Sequence, residues 1–432
     1  MKKINKDIIV TGFALFAMFF GAGNLLFPPF LGLITGKSWL TGFSGFILAD
    51  VGLSLLAIIA IAKCNGEVGK IFSRAGEKLS IVLGCAIMIC MGPLLAIPRT
   101  AATTFEMGIQ PIFGSFNQVV FSIIFFGIAF LLTIKPSKVV DIIGSYLTPA
   151  LLIALLVLIG IGIFKPLGSI EPSRIEGVFS EGIFQGYQTL DTLGAVSLGG
   201  IIIVSIINKG YTKVEEQISM TFKAGLVAAL GLVVVYGGLT YLGATVSTMF
   251  DSNVSQALLI VSITEMLLGF PGKVILGIIV ALACLTTAVG LTSAVGQYFA
   301  KLTNNKVKYE VIVTVVCLFS LVVSNFGVNA IIKISAPILT VVYPPTIVLV
   351  VFTLFGEKIN NDNVFKFGTY CALFMSALSI INDYGVKVPV INNLPLASLG
   401  FNWVVPVAIA SIIGYFVKTN KKDKADLSKN AA

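Results

Sequence analysis

A few polar groups set inside apolar segments define the chemistry open to this sequence. Asp191 lies about nine residues past a segment start at Gly182, roughly 14 Å at 1.5 Å per residue, near the middle of a hydrocarbon core of about 30 Å. Asn24 falls at a comparable depth, and so does Asp50. An ionisable side chain there is costly enough to count as functional by default. Asp191 is placed either to contact a substrate ammonium or to carry a proton. Asp50 either pairs with Arg99 or bonds a neighbouring main chain, and Arg99 serves an outer gate or a structural pairing. Thr292 and Ser293 put two hydroxyl oxygens together, with Thr286 and Thr287 about two turns earlier. Hydroxyls and main-chain carbonyls are the hard oxygen donors a sodium ion requires; the same hydroxyls can instead bond back to their own helix or glue neighbouring helices.

The elements that must position these groups are interrupted. In FAMFFGAGNLLFPPF, Phe16 to Phe30, glycines at 21 and 23 are poor helix formers and Pro28 with Pro29 removes two donors. The run is expected to unwind at its centre, the competing outcome being a plain proline kink. A second candidate, GIFQGYQTLDTLGAVSLGG, spaces Gly186, Gly194, Gly199 and Gly200 around Asp191. Broken helix at membrane depth is tolerated only where protein or a water-filled cavity takes up the freed main-chain groups. Freed N–H groups suit a carboxylate and freed carbonyls an ammonium or a sodium ion, so a zwitterionic amino acid matches both. Phe13, Phe16, Phe19, Phe20 and Phe27 stand near enough to form an apolar pocket for its side chain, or simply face lipid and other helices.

The whole chain frames that reading. Its 432 residues are 56% hydrophobic and 11% charged with mean hydropathy +0.99, the composition of a polytopic membrane protein. At about 20 apolar residues per crossing, the spans fall at 8–34, 39–62, 79–104, 117–134, 138–163, 182–207, 217–246, 274–301, 309–326, 328–355, 364–382 and 399–417, twelve in all. Eleven is the competing count, because only a short turn separates the ninth and tenth. With both termini cytoplasmic, the lysines and arginines concentrate on the inner side; only Lys37, Arg99, Lys165, Arg174, Lys273, Lys333 and Lys387 fall elsewhere. The net charge of +9 is then an orientation signal and not a nucleic-acid footprint. The lysine-led start imitates a signal peptide, but Phe19, Phe20 and the resuming apolar run argue against cleavage. The first and sixth segments run in opposite directions, five crossings apart, the hydropathy pattern of inverted five-helix repeats. That gives one polytopic domain over 1–432: repeats at about 8–163 and 182–355, two extra helices over 364–417, and a disordered tail from about 418 to 432. The connection Ser247 to Lys273 is expected to hold a short helix, either interfacial or an outer lid.

Other classes find little support. There is no histidine, and HExxH, GxSxG and GxxxxGK[ST] are absent, so no enzyme is indicated. The six cysteines lack metal-ligand spacing. A channel would show charge rings or repeated filter loops.

The runs FALFAMFFGAGNLLFPPFLG, MGPLLAIPRTA and GYQTLDTLG resemble the bacterial branched-chain amino acid carrier family, the cation-coupled symporters of leucine, isoleucine and valine. More distantly, GAGN with its nearby proline and VGLTSA are similar to sodium-coupled transporters of the LeuT fold. The resemblance implies an all-helical importer of the bacterial cytoplasmic membrane working by alternating access. It implies substrate contacts from Phe20, Gly21, Ala22, Gly23, Asn24, Thr189, Leu190 and Asp191. It also implies a sodium site from the carbonyls of Ala17, Phe20 and Val289 and the hydroxyls of Thr292 and Ser293. No arginine lies between Asn24 and Pro28, so an outer gate built there is not expected. The coupling ion is the only cofactor implied, and no protein partner is. Proton coupling through Asp191 and a non-transporting amino acid sensor are the alternatives.

Overall fold

In the computed structural model, which describes residues 2–134, 138–356, 358–385 and 388–417, the apolar runs condense into twelve helical rods. The first is two half-helices, α1a (Lys2–Phe19) and α1b (Ala22–Thr35), and α2 covers residues 39–63. Next come α3 (Glu77–Phe113), α4 (Gln118–Ile134) and α5 (Lys138–Phe164). The sixth rod is again two halves, α6a (Val178–Thr189) and α6b (Asp191–Asn208). After it follow α7 (Val214–Thr245), α8 (Gln256–Leu302), α9 (Tyr309–Ser324), α10 (Val328–Leu354), α11 (Asp362–Asp383) and α12 (Val404–Phe416). Gly327, at φ 82°, separates α9 from α10 and settles the count. Every regular element among the described residues is helical, and the tail from 418 lies outside them.

The two broken rods lie side by side and antiparallel. Lys209, just past α6b, donates to Thr11 Oγ1 of α1a at 2.8 Å, while beyond α1b Lys37 N–H bonds the Glu171 carbonyl ahead of α6a, also at 2.8 Å. The half-helices away from the N-terminus are clamped by glycine. A Cβ on Gly243 of α7 would stand 1.9 Å from the Pro29 carbonyl of α1b, and one on Gly182 of α6a 2.0 Å from the Gly42 carbonyl of α2. Such close main-chain approach is how helices pack tightly where lipid provides no hydrophobic drive. That end of the bundle is thereby shut.

One expectation is revised and another made specific. Pro28 and Pro29 do not open the first rod; both sit inside α1b, which is buried almost throughout, so neighbouring helices surround the main-chain groups the prolines leave unpaired. The helix after Ser247 runs directly into the eighth crossing through a kink at Gly269, φ 67°. Leu259, Ile260 and Ile263 of that arm are fully buried while Leu258 and Met266 are exposed, so it lies along the bundle with one face packed against it.

Candidate substrate and ion site

Each break is a small hydrogen-bonded device. At the first, the Gly21 N–H donates to Asn24 Oδ1 at 3.0 Å and the Asn24 N–H to the Gly21 carbonyl, a reciprocal cap that starts α1b. Those donors would otherwise serve the carbonyls of Ala17 and Phe20, which are thus released from helical pairing. At the second, Leu190 adopts the left-handed conformation, φ 72° and ψ 9°, uncommon for a branched side chain. No glycine lies at that turn, although four stand nearby in sequence. What holds Leu190 is its burial, 1% exposed, and the groups on either side of it.

Those groups come from other rods. Arg99 of α3 donates to the Gln188 carbonyl at 2.6 Å and to the Thr189 carbonyl at 3.0 Å, capping the negative end of α6a, with its guanidinium over the Phe27 ring. Its partner is therefore the broken main chain and not Asp50. Asp50 sits in a π-type turn, Leu48–Gly52, where an inserted residue turns its side chain inward. Asp50 Oδ1 lies 2.5 Å from Thr189 Oγ1. Asn24 Nδ2 donates to Asp191 Oδ2 at 2.8 Å and to the Tyr236 hydroxyl at 2.5 Å, so one side chain ties the two breaks together.

A cavity of about 230 Å³ extends from the breaks toward the end of the bundle that carries the N-terminus. Gly21, Ala22, Gly23, Thr189, Leu190 and Asp191 line it, with Arg99. Phe20 instead stacks between Phe16 and Tyr236, its ring centroid 5.4 and 6.0 Å from theirs. Of the five phenylalanines considered, Phe19 reaches the cavity, whereas Phe13 is half exposed and Phe27 lies beneath Arg99. Met18, Met91, Leu198 and Leu291 supply the rest of the apolar wall. Pattern reading passed over all four, since each looks like one more apolar residue in an apolar run.

Of the expected ion ligands Ala17 lines the cavity, whereas Phe20, Val289, Thr292 and Ser293 do not. Ala17 and Met18 of α1a face Thr286, Thr287, Gly290 and Leu291 of α8 across it. Val289 and Thr292 are buried in α8, and the Thr292 hydroxyl has no hydrogen-bond partner. Ser293 turns the other way, its hydroxyl 3.3 Å from Tyr309 and 3.2 Å from Gln297, in a separate cleft with Lys301. Consecutive residues on a helix diverge by about 100°, so a doublet adjacent in sequence is not adjacent in space.

A family described as branched-chain amino acid transport protein matches residues 4–421. The chain belongs to that family. It is 36% identical over 428 residues to the branched-chain amino acid permease BraB of Bacillus subtilis (strain 168), covering 95% of each chain. It is also 36% identical to the branched-chain amino acid transport system 2 carrier protein of Pseudomonas aeruginosa, over 94% of this chain and 95% of that one. These relatives are a permease and a carrier, and the protein is a multi-pass transporter, not an enzyme. Among solved structures it resembles Mhp1 in its inward-facing conformation, with TM-score 0.60 and 12% identity over 97% of this chain and 91% of that one. A Na+-coupled sialic acid symporter matches with TM-score 0.54 and 12% identity over 96% and 98%. At such identities the likeness speaks for the fold, which is that of this group of multi-span transporters.

Proposed function

We propose that this protein imports branched-chain amino acids across the bacterial cytoplasmic membrane, coupled to sodium, by alternating access, with both termini in the cytoplasm. The observation that carries the reading is the cavity where the two breaks meet. The first-turn N–H groups of Ala22 and Gly23, together with those N–H groups of Arg99 that are not spent on carbonyls, suit the substrate carboxylate. The Asp191 carboxylate suits its ammonium, and Met18, Met91, Leu198 and Leu291 suit an aliphatic side chain. The names of the relatives point to the same substrates.

For sodium, the oxygen donors are the carbonyl of Ala17 at the cavity wall, the carbonyls of Phe20 and Val289, and the unpartnered hydroxyl of Thr292. The ion site is complete once α1a swings against α8 and closes the cavity; Ser293 joins it only by leaving Tyr309. Sodium thus favours the closed or outward-facing arrangement, and its loss lets the cavity reopen. The lysine and arginine distribution supports opening toward the cytoplasm.

The test is uptake of radiolabelled isoleucine into proteoliposomes under an imposed sodium gradient or, separately, a proton gradient. Uptake driven by sodium, blocked by leucine and valine and insensitive to lysine, is the expected result. Uptake driven by protons alone overturns the coupling, and binding without uptake makes the protein a sensor.

A further inference from the structure

We propose that Asp50 and Asp191 hold one proton between them while the site is empty, and that the ammonium group of an incoming amino acid displaces it. The exchange rests on the substrate reading above; the shared proton does not.

Hydrogen counting carries the first half. The Thr189 hydroxyl has one hydrogen but two close acceptors, Asp50 Oδ1 at 2.5 Å and the Gly186 carbonyl at 2.7 Å. Both contacts are hydrogen bonds only when Asp50 contributes a hydrogen of its own. The other oxygen, Asp50 Oδ2, is buried without any donor, and Thr189 links the two acids, its hydroxyl oxygen lying against Asp50 Oδ1 and accepting from the Asp191 N–H at 3.3 Å. Two buried carboxyl groups bridged by one threonine and facing a single guanidinium do not both ionise, so one proton stays on the pair, on the Asp50 oxygen that meets Thr189. Asp191 keeps the charge: it opens α6b, where the helix dipole favours an anion, and it accepts from Asn24. Asp50 is the acid and stands behind it, away from the cavity.

The surrounding groups fix the charge balance. Facing the pair are Arg99 of α3, Tyr236 of α7 and Tyr343 of α10, with Tyr187 of α6a stacked on Tyr343 and Cys284 of α8 beside Arg99. Arg99 offsets one carboxylate and the shared proton the other, so the empty site is neutral. A zwitterionic amino acid adds no net charge, and the sodium ion that travels with it replaces the proton. The loaded site is neutral again, which matters where a net charge is far from water. In the exchange the ammonium takes the Asp191 carboxylate as its partner, Asp50 becomes a carboxylate, and its proton leaves through Asp191 to water in the cavity.

Infrared spectroscopy of the ligand-free protein in nanodiscs tests the first half. A protonated-carboxyl band at neutral pH, shifting on deuteration and missing from both Asp50→Asn and Asp191→Asn, is expected. Should either variant fail to fold, pH titration of the wild-type band gives the same information. Absence of the band from the wild type overturns the proposal. Isoleucine with sodium should then remove the band and release close to one proton per molecule bound into weakly buffered medium. Isoleucine affinity should rise about tenfold per pH unit over the range in which the pair is protonated. Retained radiolabelled isoleucine with an unchanged band refutes the exchange and leaves the transport reading standing. A band without any retained isoleucine refutes the substrate reading, and the exchange with it.

Discussion

At the scale of single residues, glycines that look equivalent in GAGN have different neighbours. A Cβ on Gly23 would sit 2.9 Å from Arg99 Nη2 and 3.1 Å from the Phe27 ring, whereas one on Gly21 would meet only Asn24 Oδ1 at 3.6 Å. Gly23→Ala should therefore push Arg99 off the α6a carbonyls and weaken isoleucine binding far more than Gly21→Ala, which only narrows the cavity. A scintillation proximity assay on both variants checks the order, and equal losses would remove Arg99 from the argument. Arg99→Lys keeps the charge but loses the planar fork that reaches two carbonyls at once. An uncapped buried carbonyl costs about 1–3 kcal/mol, so this variant should show a lower melting temperature together with at least about tenfold weaker isoleucine binding, or about 1.4 kcal/mol. A variant that loses binding at unchanged melting temperature would mean that Arg99 serves the ligand and not the break.

At the scale of elements, the sequence marked where helices are weak but not where they part. Glycine and proline density singled out the first and sixth crossings, and both are broken. The break at Phe20–Gly21 was legible, because two glycines and a capping asparagine cluster there. The break at Leu190 was not: local propensity favours helix at leucine, and only Arg99 and Asp50, distant in sequence, make another conformation the stable one. Leu190→Gly relieves a left-handed strain of about 1–2 kcal/mol. It also empties a buried site whose truncation to alanine size already costs about 2–5 kcal/mol. The variant should be less thermostable on balance, as differential scanning fluorimetry in detergent would show; a gain would mean that strain outweighs packing at this turn.

For the molecule as a whole, one end is clamped by glycine contacts and the other holds the cavity, an arrangement that gives access from a single side. Leu198→Cys, introduced after replacement of the native cysteines, should react with a membrane-impermeant thiol reagent applied to the N-terminal side. Isoleucine with sodium should slow that reaction as α1a closes. Leu33→Cys, at a fully buried position of α1b, should stay unreactive from either side in the same state. Reaction at Leu33 without reaction at Leu198 would reverse the assignment of the open end.

Composition and the period of apolar runs determined that this chain is an all-helical membrane protein of eleven or twelve rods, since each crossing must satisfy its own main chain and shield it with apolar side chains. Motif resemblance carried the family as well. The site is another matter, because it is made of pairings between rods: Asn24 with Asp191, Asp50 with Thr189, Arg99 with the end of α6a. Such pairings depend on rotation and depth of one helix against another, set by glycine contacts and inserted turns that a one-dimensional pattern does not register. For the same reason Thr292 and Ser293 read as one feature in sequence and face two different places in the fold.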